Sequence, residues 1–83
     1  MQEGMLWYDD DEGRTLEEKV RRAADYYRNK YGRSPDLCLV NPRALNGRSV
    51  EVSQITLRAA SNILMHHLLI GVGENGNGSG GGG

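Results

Sequence analysis

Cys38, His66 and His67 carry the most reactive side chains in this chain. A thiolate beside one imidazole, oriented by a third group such as Asn41, would make a nucleophile. Nothing in the spacing brings Cys38 to either histidine, and a cysteine within Leu37-Cys38-Leu39-Val40 reads as a small buried hydrophobe. The same three residues are the only metal-like set. Adjacent histidines point to opposite faces of a strand and diverge by about 100° on a helix, so both cannot reach one ion without a bend. Neither Cys-x-x-Cys nor His-x-x-x-His accompanies them. We therefore expect no catalytic residue, no metal site and no cofactor.

Asp9-Asp10-Asp11-Glu12 offers the oxygen ligands that Mg²⁺ or Ca²⁺ prefer. It lacks the alternate-position pattern of a calcium loop and reads as a solvated acidic loop leading into a helix. Gly71-Val72-Gly73 makes no phosphate cradle, because no helix comes after it to present N–H groups. A basic edge carries more. On a helix, Lys19, Arg22, Tyr26 and Lys30 fall on one side of the apolar stripe, and Arg33 stands just beyond. The tyrosine could stack on a base while the cations meet phosphates. Alternatively Arg22 pairs with Glu18, Tyr26 half-covers the core edge and the lysines lie in solvent.

These residues need elements to hold them, and one helix is written clearly. Leu16, Val20, Ala23, Ala24, Tyr27 and Tyr31 recur at the three- and four-residue spacing of one helical stripe. Thr15 and Glu18 form a capping-box pair, and Glu17 and Glu18 each meet an arginine four residues on. Gly32 and Pro35 stop the helix. Met5 to Tyr8 and Leu37 to Val40 read as strands, the second apolar at every position as if covered on both faces. Strand, helix and strand at this spacing suggest a right-handed crossover with the sheet order left open. Pro42 to Asn46 can make one helical turn before the Asn46-Gly47 turn signal.

Beyond Gly47 two readings compete. Val50, Val52, Ile55 and Leu57 alternate like strands, and His67 to Val72 can form a last one. Yet Ser53 could cap a helix through Ile55, Ala59, Ala60, Ile63, Leu64 and Leu68, and periodicity does not arbitrate. We favour strands, because β-branched residues crowd 50–57 and 70–72. If Ile63 to Val72 formed an exposed edge strand, it would accept another chain, its own copy or a partner peptide. The alternative is an internal strand.

Eighty-three residues allow one domain. Gly71 to Gly83 holds eight of the twelve glycines, so the folded domain is expected over 1–72, with 73–83 a flexible tail or linker. A core that small buries only about 60 % of the unfolded chain's surface, which makes dimerisation a natural supplement. Residues 13–72 carry ten bases against five acids, well short of the dense basic stripe of a dedicated nucleic-acid binder. One cysteine excludes an intrachain disulfide, no apolar run approaches a membrane span, and residues 1–12 lack a signal peptide's apolar segment. A cytoplasmic location is expected.

At Tyr26-Tyr27, Lys30-Tyr31-Gly32-Arg33, Pro35, Cys38, Val40-Asn41-Pro42, Ile63-Leu64, His67 and Ile70-Gly71-Val72, the chain resembles a group of small uncharacterised bacterial proteins. The resemblance spans residues 15–72 and brings no activity with it. Members often carry Pro where this chain has Met65, which implies strands rather than a helix over 54–70. They also end near Val72, which implies that residues 73–83 are an extra.

The sequence thus predicts an α+β domain, one amphipathic helix on a three- to four-stranded sheet in β-α-β-β-β order. The expected function is non-enzymatic: a protein-interaction or adaptor module binding another protein or itself, as a homodimer, through a sheet edge. Trp7, Tyr8, Leu69 and Ile70 are its expected contact residues. The alternative is a nucleic-acid accessory protein using Lys19, Arg22, Tyr26, Lys30 and Arg33.

Overall fold

The helix forms where its caps put it. The Thr15 hydroxyl accepts from the Glu18 N–H (3.1 Å), and the Glu18 carboxylate accepts from the Thr15 N–H (2.9 Å). Helix α1 (Leu16–Tyr31) ends at Gly32, whose φ of 75° lets its N–H reach the Arg28 carbonyl at 2.8 Å. The computed structural model describes residues 4–73. In it α1 lies on a sheet built from β1 (Gly4–Tyr8), β2 (Leu37–Val40), β3 (Val50–Val52), β4 (Ile55–Ala59) and β5 (His67–Gly71). A helical turn, α2 (Pro42–Leu45), comes after β2, begun by Asn41 and ended by Asn46 in the left-handed conformation.

The class is α+β, as the pattern predicts, with five strands rather than three or four. Their order is β1-β5-β2-β4-β3. β5 runs antiparallel to both neighbours, so β1 and β2 are parallel with one strand between them. β4 pairs parallel with β2, and β3 pairs antiparallel with β4. Residues 54–70 are strands and a loop, not a helix.

Of the two readings of 63–72, this order bears out the internal strand and rules out the edge strand. β5 is hydrogen-bonded on both sides, and the edges of the sheet are β1 and β3. The reason is topological. The β1–α1–β2 connection leaves a one-strand gap, and an antiparallel strand entering from the far end fills it. Ile70, expected at a contact surface, is 0 % exposed between Met5 and Cys38.

The register sorts side chains cleanly between two faces, because neighbours along a strand alternate. Met5, Ile70, Cys38, Leu57 and Val50 form one row across the sheet towards α1. Trp7, Leu68, Val40 and Ala59 form the next. Onto these rows α1 presses Val20, Ala23, Ala24 and Tyr27, all buried, and Leu45 of α2 closes one side. Two consecutive alanines let the helix come close to the strands, and Tyr27 and Tyr31 (centroids 4.6 Å apart) fill the space past them.

Between β3 and β4 the chain reverses through Ser53 and Gln54, with φ of 49° and 67°. Two successive left-handed residues make the tight turn whose twist suits a hairpin. No helix among the described residues is long and apolar enough to cross a membrane. The expected tail over 73–83 lies, apart from Gly73, outside the described residues.

Candidate functional site

The face of the sheet away from α1 has no cover among the described residues. The register places Leu6, Leu69, Leu39 and Arg58 in one row there, flanked by Tyr8 and His67 on one side and by Leu37, Thr56 and Glu51 on the other. Leu6 is 62 % and Tyr8 58 % exposed, while Leu37, Leu39 and Leu69 are half-buried by their neighbours alone. β2 is therefore covered on one face, not two. Its second set of leucines belongs to this open surface. The Tyr8 ring lies 4.9 Å from that of His67, and its hydroxyl donates to Asp10 (3.0 Å), an acceptor that raises the phenol pKa.

Of the expected contact residues, Tyr8 and Leu69 share this face, and Trp7 and Ile70 point the other way. Trp7 packs on Tyr26 with centroids 5.3 Å apart, and its indole Nε1 is buried without a hydrogen-bond partner among the described residues. Strand alternation made that separation readable; the pairing of β5 with β1 was the missing piece.

The basic set is only partly assembled. Arg22 and Tyr26 line a shallow depression with Trp7, Asp25 and Asn29. Asp25 is ion-paired with Arg28, so the depression carries both signs of charge. The Glu18 carboxylate serves the cap. Lys30 lies 5.5 Å from the Tyr31 centroid, Arg33 stands past the helix end, and Lys19 lines a separate concavity.

Cys38 faces α1, whereas His67 lies on the opposite side of the sheet and His66 in the loop before β5. No nucleophilic pair forms. Burial pushes the Cys38 thiol up to about 12, so it stays protonated and inert at neutral pH. The acidic loop is committed to its own structure. Asp9 is buried, accepts from Arg14 Nε (2.9 Å) and from the Asp11 N–H (3.0 Å), and is held below the usual carboxylate range, chiefly by the Arg14 hydrogen bond. Asp11 accepts from the Gly13 N–H at 2.8 Å. Among the described residues no three His, Cys, Asp or Glu side chains are placed to hold a metal ion.

Two concavities have no signature in the sequence. One is a wide, shallow groove where β4 outruns β3, lined by Pro42, Arg48, Val50, Leu57 and Ala59 among others. The other, of about 200 Å³, opens at the end of the sheet where β1 and β2 finish. Leu16, Lys19, Ala44, Met65, His66 and Leu68 line it, and they come from three separated segments. No local spacing signals such a meeting.

No protein-family model, no curated protein and no solved structure matches this chain.

Proposed function

We propose that this chain is a small non-enzymatic protein-interaction module whose contact surface is the open face of the sheet together with edge strand β1. One observation carries the reading. Leu6, Leu69 and Leu39 form a continuous apolar row that nothing in the described chain covers. An apolar row left open to water gains free energy when a second layer packs on it, which favours a contact there.

Size narrows how the surface works. Four strands about 4.8 Å apart, over five residues rising about 3.3 Å each, make a patch of roughly 15 by 15 Å. That is about a quarter of the ~800 Å² each partner buries in a standard stable interface. The face alone supports a transient contact. A lasting one also uses the unpaired backbone of β1, adding a strand from a second copy or another protein. The reading includes a cytoplasmic location, where a lone cysteine stays a thiol.

Light scattering on a size-exclusion column, across a wide concentration range, tests the self-association form. A dimer that Leu69→Lys converts to a folded monomer supports it; a dimer insensitive to Leu69→Lys and to Leu6→Lys removes this face from the account.

A second reading, from another class, is a nucleic-acid accessory role. The exposed Tyr26 ring, tilted against Trp7 and beside Arg22, favours it, since an aromatic face next to a cation suits single-stranded bases. Protein purified without nuclease should then absorb strongly at 260 nm and lose that material in salt. Arg22→Glu with Lys30→Glu should abolish the effect, and a protein-like spectrum from the outset ends this reading.

A further inference from the structure

The 200 Å³ concavity lies outside the carboxyl ends of the parallel strands β1 and β2, the end of an open sheet at which ligands commonly sit. β1 leaves this end through the acidic loop into α1, β2 leaves it into α2, and the loop before β5 closes the third side. We propose that it binds a small organic carboxylate with a short apolar body, and that Lys19 meets the charge.

The lining sets the chemistry. Leu16, Ala44, Met65 and Leu68 are apolar walls, and Lys19 is half-buried among them. Lys19 has no ion-pair partner among the described residues. Its acidic neighbour, Asp9, is already engaged by Arg14 at 2.9 and 3.3 Å and by the Asp11 N–H. The start of α1 contributes little to anion binding, because its capping box takes the Glu18 N–H and the first turn already carries the carboxylates of Glu17 and Glu18. The ammonium of Lys19 acts on Asp9 only through space and, among the described residues, makes no ion pair, so it can still meet a bound anion. About 150 Å³ suffices for benzene in an apolar cavity, so this volume takes one ring or a short branched chain and excludes anything of drug size.

The walls are preset. The Asn41 side chain donates to the Ile63 carbonyl (2.8 Å) and accepts from the Arg43 N–H (2.9 Å), tying α2 to the loop before β5. The Asp9 N–H donates to the His66 carbonyl (2.9 Å), and His67 Nδ1 lies 2.9 Å from the Met65 carbonyl. Between these ties His66 is held at φ 67°, a left-handed conformation that costs free energy for a non-glycine residue and persists only because its flanks fix it. Strain of this kind concentrates at ligand clamps.

The experiment is an amide-resolved NMR titration of the full chain with benzoate, and with benzamide as its uncharged counterpart. Benzoate should give saturable shifts confined to residues 16–19, 41–45 and 64–68, with benzamide about tenfold weaker or more, as expected when a charged hydrogen bond is lost. Lys19→Met should bring benzoate down to the level of benzamide. Ala44→Leu fills the cavity while leaving Lys19 in place, and should abolish both. Shifts that do not saturate, that spread over the exposed cations, or that survive Lys19→Met with equal affinity overturn the assignment. These outcomes concern a different end of the molecule from the open face, so neither result alters the test of the interaction surface.

Discussion

Both faces of the sheet carry apolar side chains, more of them towards α1, and they meet different fates. Towards α1, the rows through Ile70 and Leu68 are sealed by Val20, Ala23, Ala24 and Tyr27, and the strand residues there are at most a few per cent exposed, apart from Trp7, Val50 and Ala59. On the other side the row through Leu69 has its lateral neighbours and, among the described residues, no lid. Burial on a sheet therefore has two sources here. Strand pairing half-covers a leucine, and only a second layer finishes the work. A single 16-residue helix supplies one lid. The leucines of β1, β2 and β5 are distributed for two.

The largest test of this contrast compares two adjacent residues of β5. Ile70→Ala removes fully buried volume facing α1 and should cost about 2–5 kcal/mol in urea denaturation. Leu69→Ala, one residue away on the open face, should cost no more than about 1 kcal/mol. Similar losses at both positions would mean that the open face is covered in the free protein.

Thiol chemistry sharpens the same contrast. Cys38 should resist iodoacetamide in the native state and react on unfolding, whereas Leu39→Cys in a Cys38→Ala background should label readily. The pKa sign gives a further check. With the folded-state value raised to about 12, the unfolded chain loses the Cys38 proton first. Stability should therefore decline as pH rises past about 8.5, the ordinary thiol value, and continue falling towards 12. A flat profile there, or one matched by the Cys38→Ala variant, removes burial as the cause.

A smaller effect is expected at the loop between β1 and α1. Asp9→Asn should cost about 1–3 kcal/mol, because the Arg14 and Asp11 donors lose a charged acceptor. Since the Asp9 pKa is lowered on folding, its contribution is present above the unfolded value near pH 4 and is lost as pH falls through the folded one. The acid limb of the stability curve should shrink in Asp9→Asn. An unchanged limb would assign acid sensitivity to other carboxylates.

The hairpin between β3 and β4 shows why only part of the fold was legible. Ser53-Gln54 adopts a geometry that Asn-Gly ordinarily fills, so neither residue announces a turn, and Ser53 reads equally well as a helix cap. Ser53→Asn with Gln54→Gly should raise stability by up to about 1 kcal/mol, the smallest of these changes. By contrast α1 was readable to the residue, since Thr15, Glu18 and Gly32 act within a few positions of the ends they fix. The place of β5 was not, because it depends on a gap that the distant β1–α1–β2 connection creates. Consecutive apolar residues in β2 signalled two packed faces without saying whether this chain supplies both lids. The cavity around Lys19 was hidden for the same non-local reason.

The central claim is that the open face is a contact surface, and photo-crosslinking tests it most directly. A photoreactive amino acid at position 6, on that face, should yield one discrete product, a dimer of this chain or an adduct with one partner, which Leu69→Lys removes. The same group at position 21, on the solvent side of α1, should yield none. Equal background from both positions, or a product from position 6 that persists with Leu69→Lys in a folded chain, would contradict the account.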